Sequence, residues 1–318
     1  MLLFLLILWI LSAVLVLLEQ RPYRIVIYFG IFSLITSVAY LFLGSPDVAM
    51  AEAGISAFTT IFFLVCMERY YAARRKVGAQ ADSETRANTV PVRKRFVRIL
   101  PALLFSAGLL GLFIWFIPTG EISTHLRDQY LALFISDVGG ENAATAIYLG
   151  YRLYDTLFEA LILVIAVVAV SHMSWFDGTA MTGSGRRRAE IGHSSMAVFT
   201  MRIICPIILL FGAYLFFTVH LTAGGGFQGG LAVASFFICR YLIYDIYDIP
   251  IKKVIKMEEL VFIGITIVAV LAIFLGVVEF AQIPPVIYLN TMNVLIGMKV
   301  ACSFFILFYR YIAIERAS

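Results

Sequence analysis

Apolar runs of membrane-spanning length recur along almost all of this 318-residue chain. A helix needs about 20 apolar residues to cross about 30 Å of hydrocarbon, and it satisfies its own backbone polar groups in lipid. Runs of this length therefore favour helices. We predict an all-α integral membrane protein with about nine transmembrane helices, near residues 2–19, 24–43, 47–68, 97–117, 144–171, 197–219, 229–248, 258–279 and 291–313.

The composition excludes a soluble globular protein. Hydrophobic residues make up 62% of the chain and charged residues 14%, with a mean hydropathy of +0.95, whereas soluble domains are about 25% charged. The net charge of +4 does not indicate nucleic-acid binding, because the basic residues lie in loops. The four cysteines lie in apolar runs without metal-ligand spacing, so neither a disulfide nor a zinc site is predicted.

The basic residues are distributed unevenly between the two sides of the predicted membrane. Loops on one side carry nearly all of them, including the stretch Arg69–Arg98. Those on the other side carry only Arg127, and they lie around Gly44–Asp47, Thr119–Asn142, His220–Gly230 and Phe280–Asn290. Because cytoplasmic loops are enriched in Lys and Arg, we predict an outside N-terminus and a cytoplasmic C-terminus. The first run lacks a basic start and a cleavage site, so we interpret it as a retained helix.

Two polar segments divide the chain into three blocks. Residues 76–96 and 176–196 are rich in charged, Gly and Ser residues, and they predict cytoplasmic linkers. They separate a three-helix module (1–75), a two-helix module (97–175) and a four-helix module (197–318).

Three ionisable residues, Arg152, Asp155 and Glu159, occur at the start of one apolar run. Helical spacing places them within about 60° on one face. An isolated charge near the bilayer centre costs about 2.5–3.5 kcal/mol, so this face needs protein, pairing or water and indicates an ion or proton path. The alternative is an ion pair between Arg152 and Asp155 near the membrane surface, which leaves Glu159 alone in the membrane.

Two further acidic residues occur in the third run. Ser45 and Pro46 are typical of a helix start, and this explains Asp47 as a carboxylate near the positive end of the helix. Glu52 lies about one and a half turns deeper, among small residues that permit close helix packing. It is either a carboxylate of an ion path or a structural group.

A glycine-rich segment joins the sixth and seventh predicted helices. Five glycines in seven residues permit the close approach of backbone carbonyls or of a neighbouring protein. The alternative is a flexible turn, although a turn needs only one or two glycines. The predicted structural loop comprises His220, Gly224, Gly225, Gly226, Phe227, Gln228, Gly229 and Gly230.

Lys299 lies about two turns inside the last run. It either extends to the membrane surface or pairs with a buried carboxylate, for which Glu52 and Glu159 are the candidates. A lysine in such a place can also carry protons. We predict that Glu258, Glu259 and Glu279 lie at the membrane interface, because each is near the end of a predicted helix. His172 and Arg202 receive the same interpretation.

The sequence contains no motif for nucleotide binding, hydrolysis or haem attachment, and no soluble segment long enough for an active site. We therefore predict no catalytic residue, no metal site and no cofactor in this chain.

Block by block, the chain resembles small membrane subunits of Mrp-type multisubunit cation/proton antiporters and of related membrane-bound hydrogenases. SPDVAMAEAG in residues 1–75 is similar to MbhD. YRLYDTLFEA in residues 97–175 is similar to MbhE and to the C-terminal part of MrpA, although Phe158 replaces a glycine. AGGGFQGG in residues 197–318 is similar to MrpB, also called MnhB or MbhF, with Ala223 where a proline is common.

The resemblance implies a fusion of three small subunits that conducts Na⁺ or H⁺ in a prokaryotic cytoplasmic membrane. The residues that match polar positions of the family are Asp47, Glu52, Arg152, Asp155, Glu159 and Lys299. Expected partners are MrpA-like, MrpD-like, MrpC-like and MrpG-like subunits and membrane lipid, without nucleic acid. The alternatives are a membrane-arm subunit of a redox complex, with hydrogenase or other redox subunits, and a purely structural adaptor.

Overall fold

The computed structural model describes residues 2–78, 104, 106–108, 110–112, 115, 124–173, 195–244, 251–274 and 285–314. These residues form helices and their connections, without a β-strand. The all-helical prediction is confirmed for them. The predicted helix near 97–117, most of both linkers, and Glu279 lie outside the described residues.

Ten α-helices and one π-helical turn are described. Five stretches are long and apolar enough to cross a membrane: Pro22–Phe42, Pro46–Met67, Leu153–His172, Val198–Phe217 and Val286–Arg310. They make the chain a multi-pass membrane protein. The helices are α1 (Leu2–Leu18), α2 (Pro22–Phe42), α3 (Pro46–Gly78), α4 (His125–Val138), α5 (Ala143–Ala146), the π-turn (Ile147–Tyr151), α6 (Leu153–Met173), α7 (Ser195–Phe217), α8 (Gly226–Tyr244), α9 (Ile251–Phe274) and α10 (Pro285–Ile314).

The region before α6 differs from the prediction in two ways. Helix α4 occupies much of the segment that was predicted to be the loop Thr119–Asn142, and it ends at Gly139, whose φ of 75° is readily adopted by glycine. The predicted continuous helix over 144–171 is wrong at its start. There α5 passes into the π-turn, in which the Arg152 N–H donates to Ile147 O (2.7 Å), five residues earlier. The regular helix begins only at Leu153.

Helix α10 is the centre of the bundle. In its stretch Val286–Arg310, 67% of the most apolar window is buried, against 17–22% in the other four candidate spans. Leu289, Met292 and Val300 of α10 pack with Leu149 of the π-turn and Ile265 of α9 in one hydrophobic cluster. Polar side chains on the inner face of α10 are therefore enclosed by protein.

The first three helices pack in sequence, α1 on α2 and α2 on α3. Helix α3 then joins them to the rest of the bundle, because Phe58 and Val65 pack against Leu231 and Ile238 of α8 and Phe308 of α10. The predicted start of α3 is confirmed, since the helix begins at Pro46 with Asp47 in its first turn.

Candidate functional site

Asp47 connects distant parts of the chain at one end of the bundle. Its Oδ1 accepts hydrogen bonds from the Gly224 N–H (2.9 Å) and from Asn142 Nδ2 (3.3 Å). Asn142 also caps α5, where its Oδ1 accepts from Ala144 N (2.9 Å) and Thr145 N (3.3 Å). Asp47 therefore has a structural task beyond its place at the start of α3.

His220 extends this junction. Its carbonyl accepts hydrogen bonds from the backbone N–H groups of Glu141 (2.7 Å) and Asn142 (3.2 Å). Its Nδ1 lies 3.1 Å from Asn290 Oδ1. Segments from all four loops that were predicted to share one side of the membrane thus meet at one end of the bundle.

The glycine-rich segment is mostly helical, because α8 already begins at Gly226. A Cβ atom on Gly226 would lie 2.5 Å from Asn293 O, and one on Gly230 would lie 2.7 Å from Val300 Cβ. The predicted close approach of carbonyls is confirmed, and they come from α10 of the same chain. Between these glycines, Gln228 Nε2 donates to Asp47 O (3.4 Å).

Glu52 lies half-buried between α2 and α3. The hydroxyl of Ser33, which is buried on α2, donates to Glu52 Oε1. One turn along α2, the Ser37 hydroxyl donates to Ala49 O (2.6 Å). The structure thus places Glu52 at a seam between helices, away from Lys299.

Arg152 and Asp155 form the ion pair that was predicted as an alternative. Their side chains are 64% and 57% exposed on the surface of this chain. Glu159 lies one turn further along α6 and is also exposed. A polar face on a helix of this hydropathy is incompatible with lipid, so it needs a neighbour.

Lys299 is fully buried and forms an ion pair with Glu258 of α9, which is 2% exposed. The buried Ser303 hydroxyl donates to Glu258 Oε1 (3.1 Å) and lies 3.4 Å from Lys299 Nζ. The Lys299 ammonium also lies 5.5 Å from the ring centroid of Phe262. A buried ion pair needs such additional hydrogen bonds, because desolvation offsets much of its Coulomb energy.

This pair corrects three predictions. Lys299 neither reaches the membrane surface nor pairs with Glu52 or Glu159 in this structure, and Glu258 is not interfacial. The error came from starting the helix at residue 258, whereas α9 begins at Ile251 and places Glu258 two turns inside. Pro250, a frequent helix boundary, was the signal that was missed. Exposed Glu259 fits the interfacial prediction.

A small cavity joins Glu159 to Lys299. Both residues line it, together with Thr156 of α6, Phe227 of α8 and Val300 of α10. Its volume is about 10 Å³, which is about the size needed for one water molecule. Within the described part of the chain, no group of three or more His, Cys, Asp or Glu residues is arranged to hold a metal ion.

The fold and these polar groups define an all-helical, multi-pass membrane protein with an ion pair enclosed in its bundle. Residues 196–314 match the family model described as a domain related to the MnhB subunit of Na⁺/H⁺ antiporter, and residues 7–71 match the MbhD family model of MBH. The chain is therefore related to Mrp-type antiporter subunits and carries segments similar to two of them in one polypeptide.

Curated relatives match parts of the chain. It is 22% identical over 232 residues to the probable K⁺/H⁺ antiporter A/B protein of Rhizobium meliloti, covering 66% of this chain and 22% of the relative. It is 39% identical over 72 residues to the putative antiporter protein mnhB2 of Staphylococcus haemolyticus, covering 23% of this chain and 51% of the relative. The chain thus spans about a fifth and about half of the length of these relatives.

Two solved structures have a similar fold. A chain of the Mrp complex from Dietzia sp. matches with a TM-score of 0.68 and 17% identity, covering 97% of this chain and 34% of the other. A chain of the membrane-bound sulfane sulfur reductase, an archaeal respiratory membrane complex, matches with a TM-score of 0.54 and 27% identity, covering 69% of this chain and 98% of the other. The first likeness concerns the fold alone.

Proposed function

We propose that this chain is an ion-conducting membrane subunit of a Mrp-type multisubunit cation/proton antiporter in a prokaryotic cytoplasmic membrane. It carries no catalytic residue, metal or cofactor of its own, and the ions that it moves are Na⁺ or H⁺. It crosses the membrane about nine times, with an outside N-terminus and a cytoplasmic C-terminus. The meeting of the four weakly basic loops at one end of the bundle supports this topology.

The chain is organised as an MbhD-like module (1–75), an MbhE-like module (97–175) and an MrpB-like module (197–318), separated by cytoplasmic linkers. Its partners are large MrpA-like and MrpD-like subunits and small MrpC-like and MrpG-like subunits. Antiporter subunits among the relatives support this assignment.

The observation that carries the transport role is the cavity shared by Glu159 and Lys299. It brings a carboxylate on the exposed face of α6 to a lysine at the centre of the bundle. Glu52 and Glu159 bind a cation or proton in turn, while Lys299 or Arg152 compensates their charge. Carboxylate oxygens suit a hard cation such as Na⁺, and intramembrane carboxylates are typical of ion and proton paths.

The likeness to a chain of a sulfane sulfur reductase favours a second candidate, the membrane arm of a redox-driven complex. In that case, separate hydrogenase-like or other redox subunits carry out the chemistry. The hydrogen-bonded junction at Asp47 favours a third, a structural adaptor whose polar groups only hold subunits together.

The test is Glu159→Gln in the assembled complex, with Glu141→Gln as a control, because Glu141 contacts the junction only through its backbone in the hydrogen bonds found there. We expect normal recovery of the complex and loss of Na⁺-dependent proton transport in membrane vesicles. Unchanged transport in a fully assembled complex would exclude the conducting role, and loss of assembly would favour the adaptor.

Purification through a tag on this chain separates the first two candidates. Antiporter-like subunits alone are expected for a gradient-driven exchanger, whereas co-purification of iron–sulfur or hydrogenase-like subunits indicates a redox-driven complex. Recovery of this chain by itself would contradict both.

A further inference from the structure

Carboxylates from two different helices lie around Lys299. Glu258 of α9 is in direct contact with its ammonium group, and Glu159 of α6 lines the cavity that Lys299 also lines. We propose that Lys299 is a switching cation that pairs alternately with Glu258 and Glu159, so that Glu258 is a second functional carboxylate of the intramembrane site.

Burial requires that Lys299 always has a partner. Its side chain has no exposed surface, and an unpaired ammonium group in a low-dielectric interior is strongly unfavourable. The flexible four-carbon stem of lysine lets the charged end move while the backbone stays fixed. The cavity next to Lys299 leads to Glu159, whose exposed position gives it access to ions from outside the bundle.

Ser303 fixes one of the two positions. Its hydroxyl donates to Glu258 Oε1 and so holds this carboxylate in place when the ammonium group leaves. When Glu258 takes a proton from water, the carboxyl group becomes neutral and its attraction for Lys299 falls. Lys299 then moves to the Glu159 carboxylate, and release of the proton from Glu258 reverses the exchange.

This exchange couples a proton to a cation, which is the step that rests on the proposed function. A Na⁺ ion at Glu159 competes with the Lys299 ammonium for the same negative charge. Na⁺ binding therefore drives Lys299 to Glu258 and favours loss of the Glu258 proton. Protonation of Glu258 sends Lys299 to Glu159 and displaces the Na⁺ ion, so the two ions exclude each other.

The experiment is a double-mutant cycle on the full complex in its membrane, with recovery in mild detergent and thermal stability as readouts. The variants are Glu258→Gln, Glu159→Gln and their combination, with Glu259→Gln as a matched control, because Glu259 is exposed on the same helix. We expect each single variant to keep most of the complex, because Lys299 retains one partner. The combination should lose the complex by far more than the two single losses together.

Adding Lys299→Met to the combined variant should restore recovery, because no buried ammonium group then remains. Loss of the complex in Glu258→Gln alone, or a combined variant no worse than the single ones, would overturn the alternating pair. Transport assays on the same preparations separate the two proposals. Strong coupling between Glu258 and Glu159 with normal transport in Glu159→Gln would leave the switching pair intact and contradict the conducting role.

Discussion

The carboxylate of Asp47, in the first turn of α3, accepts a hydrogen bond of 2.9 Å from the backbone N–H of Gly224, 177 residues later. We expect Asp47→Ala to lower the stability of the complex by about 1.5–3 kcal/mol, as for hydrogen bonds to charged groups. Asp47→Asn keeps an acceptor oxygen and should cost less. Thermal unfolding of the purified complex measures both, and equal losses in the two variants would show that only the charge matters.

Asn142 uses both ends of its amide, which leads to a second prediction. Its oxygen caps α5 and its Nδ2 donates to Asp47 and to Thr222 O (2.8 Å). Asn142→Asp keeps the cap but loses both donors and places a second carboxylate beside Asp47. We therefore expect Asn142→Asp to destabilise the complex more than Asp47→Asn does. Pairing Asn142→Asp with Asp47→Asn should recover part of the loss, and no recovery would contradict repulsion as the cause.

Gly230 provides a packing prediction with a control on a neighbouring helix. A methyl group there would meet Val300 Cβ at 2.7 Å, whereas one on Gly264 of α9 would find its nearest neighbour, Leu295 Cδ2, at 3.9 Å. Gly230→Ala should separate α8 from α10 and cost about 1–3 kcal/mol. Gly264→Ala should be neutral or stabilising by up to about 1 kcal/mol, because alanine favours helix. Complex yield and thermal stability distinguish them, and equal behaviour would contradict the tight packing of α8 on α10.

Ser33 and Ser37 test whether Glu52 takes part in transport. Both are buried on α2 and donate to α3, but Ser33 bonds the Glu52 carboxylate and Ser37 a backbone carbonyl. Each Ser→Ala change should cost about 1 kcal/mol of stability. Only Ser33→Ala should change the Na⁺ concentration for half-maximal transport, by about threefold or more, since about 0.7 kcal/mol corresponds to that factor. Identical Na⁺ dependence in the two variants would place Glu52 outside the ion path.

Several features of the site could be predicted from the sequence, and their limits have physical reasons. The spacing of Arg152 and Asp155 predicted an ion pair because three residues along a helix nearly close one turn. The start of α3 at Pro46 followed from local helix-start chemistry. Helix α4 and the π-turn were missed, because α4 is short and polar and the π-turn depends on one inserted backbone bond.

The sequence by itself determined the membrane class, the position of most helices and the identity of the intramembrane charges. Each of these depends on local hydrophobicity and on the cost of charge in lipid. Only the tertiary structure decided that Lys299 pairs with Glu258 and shares a cavity with Glu159. Partner choice depends on the rotation and crossing of α6, α9 and α10 around one another. That geometry results from side-chain packing between helices that are far apart in the chain.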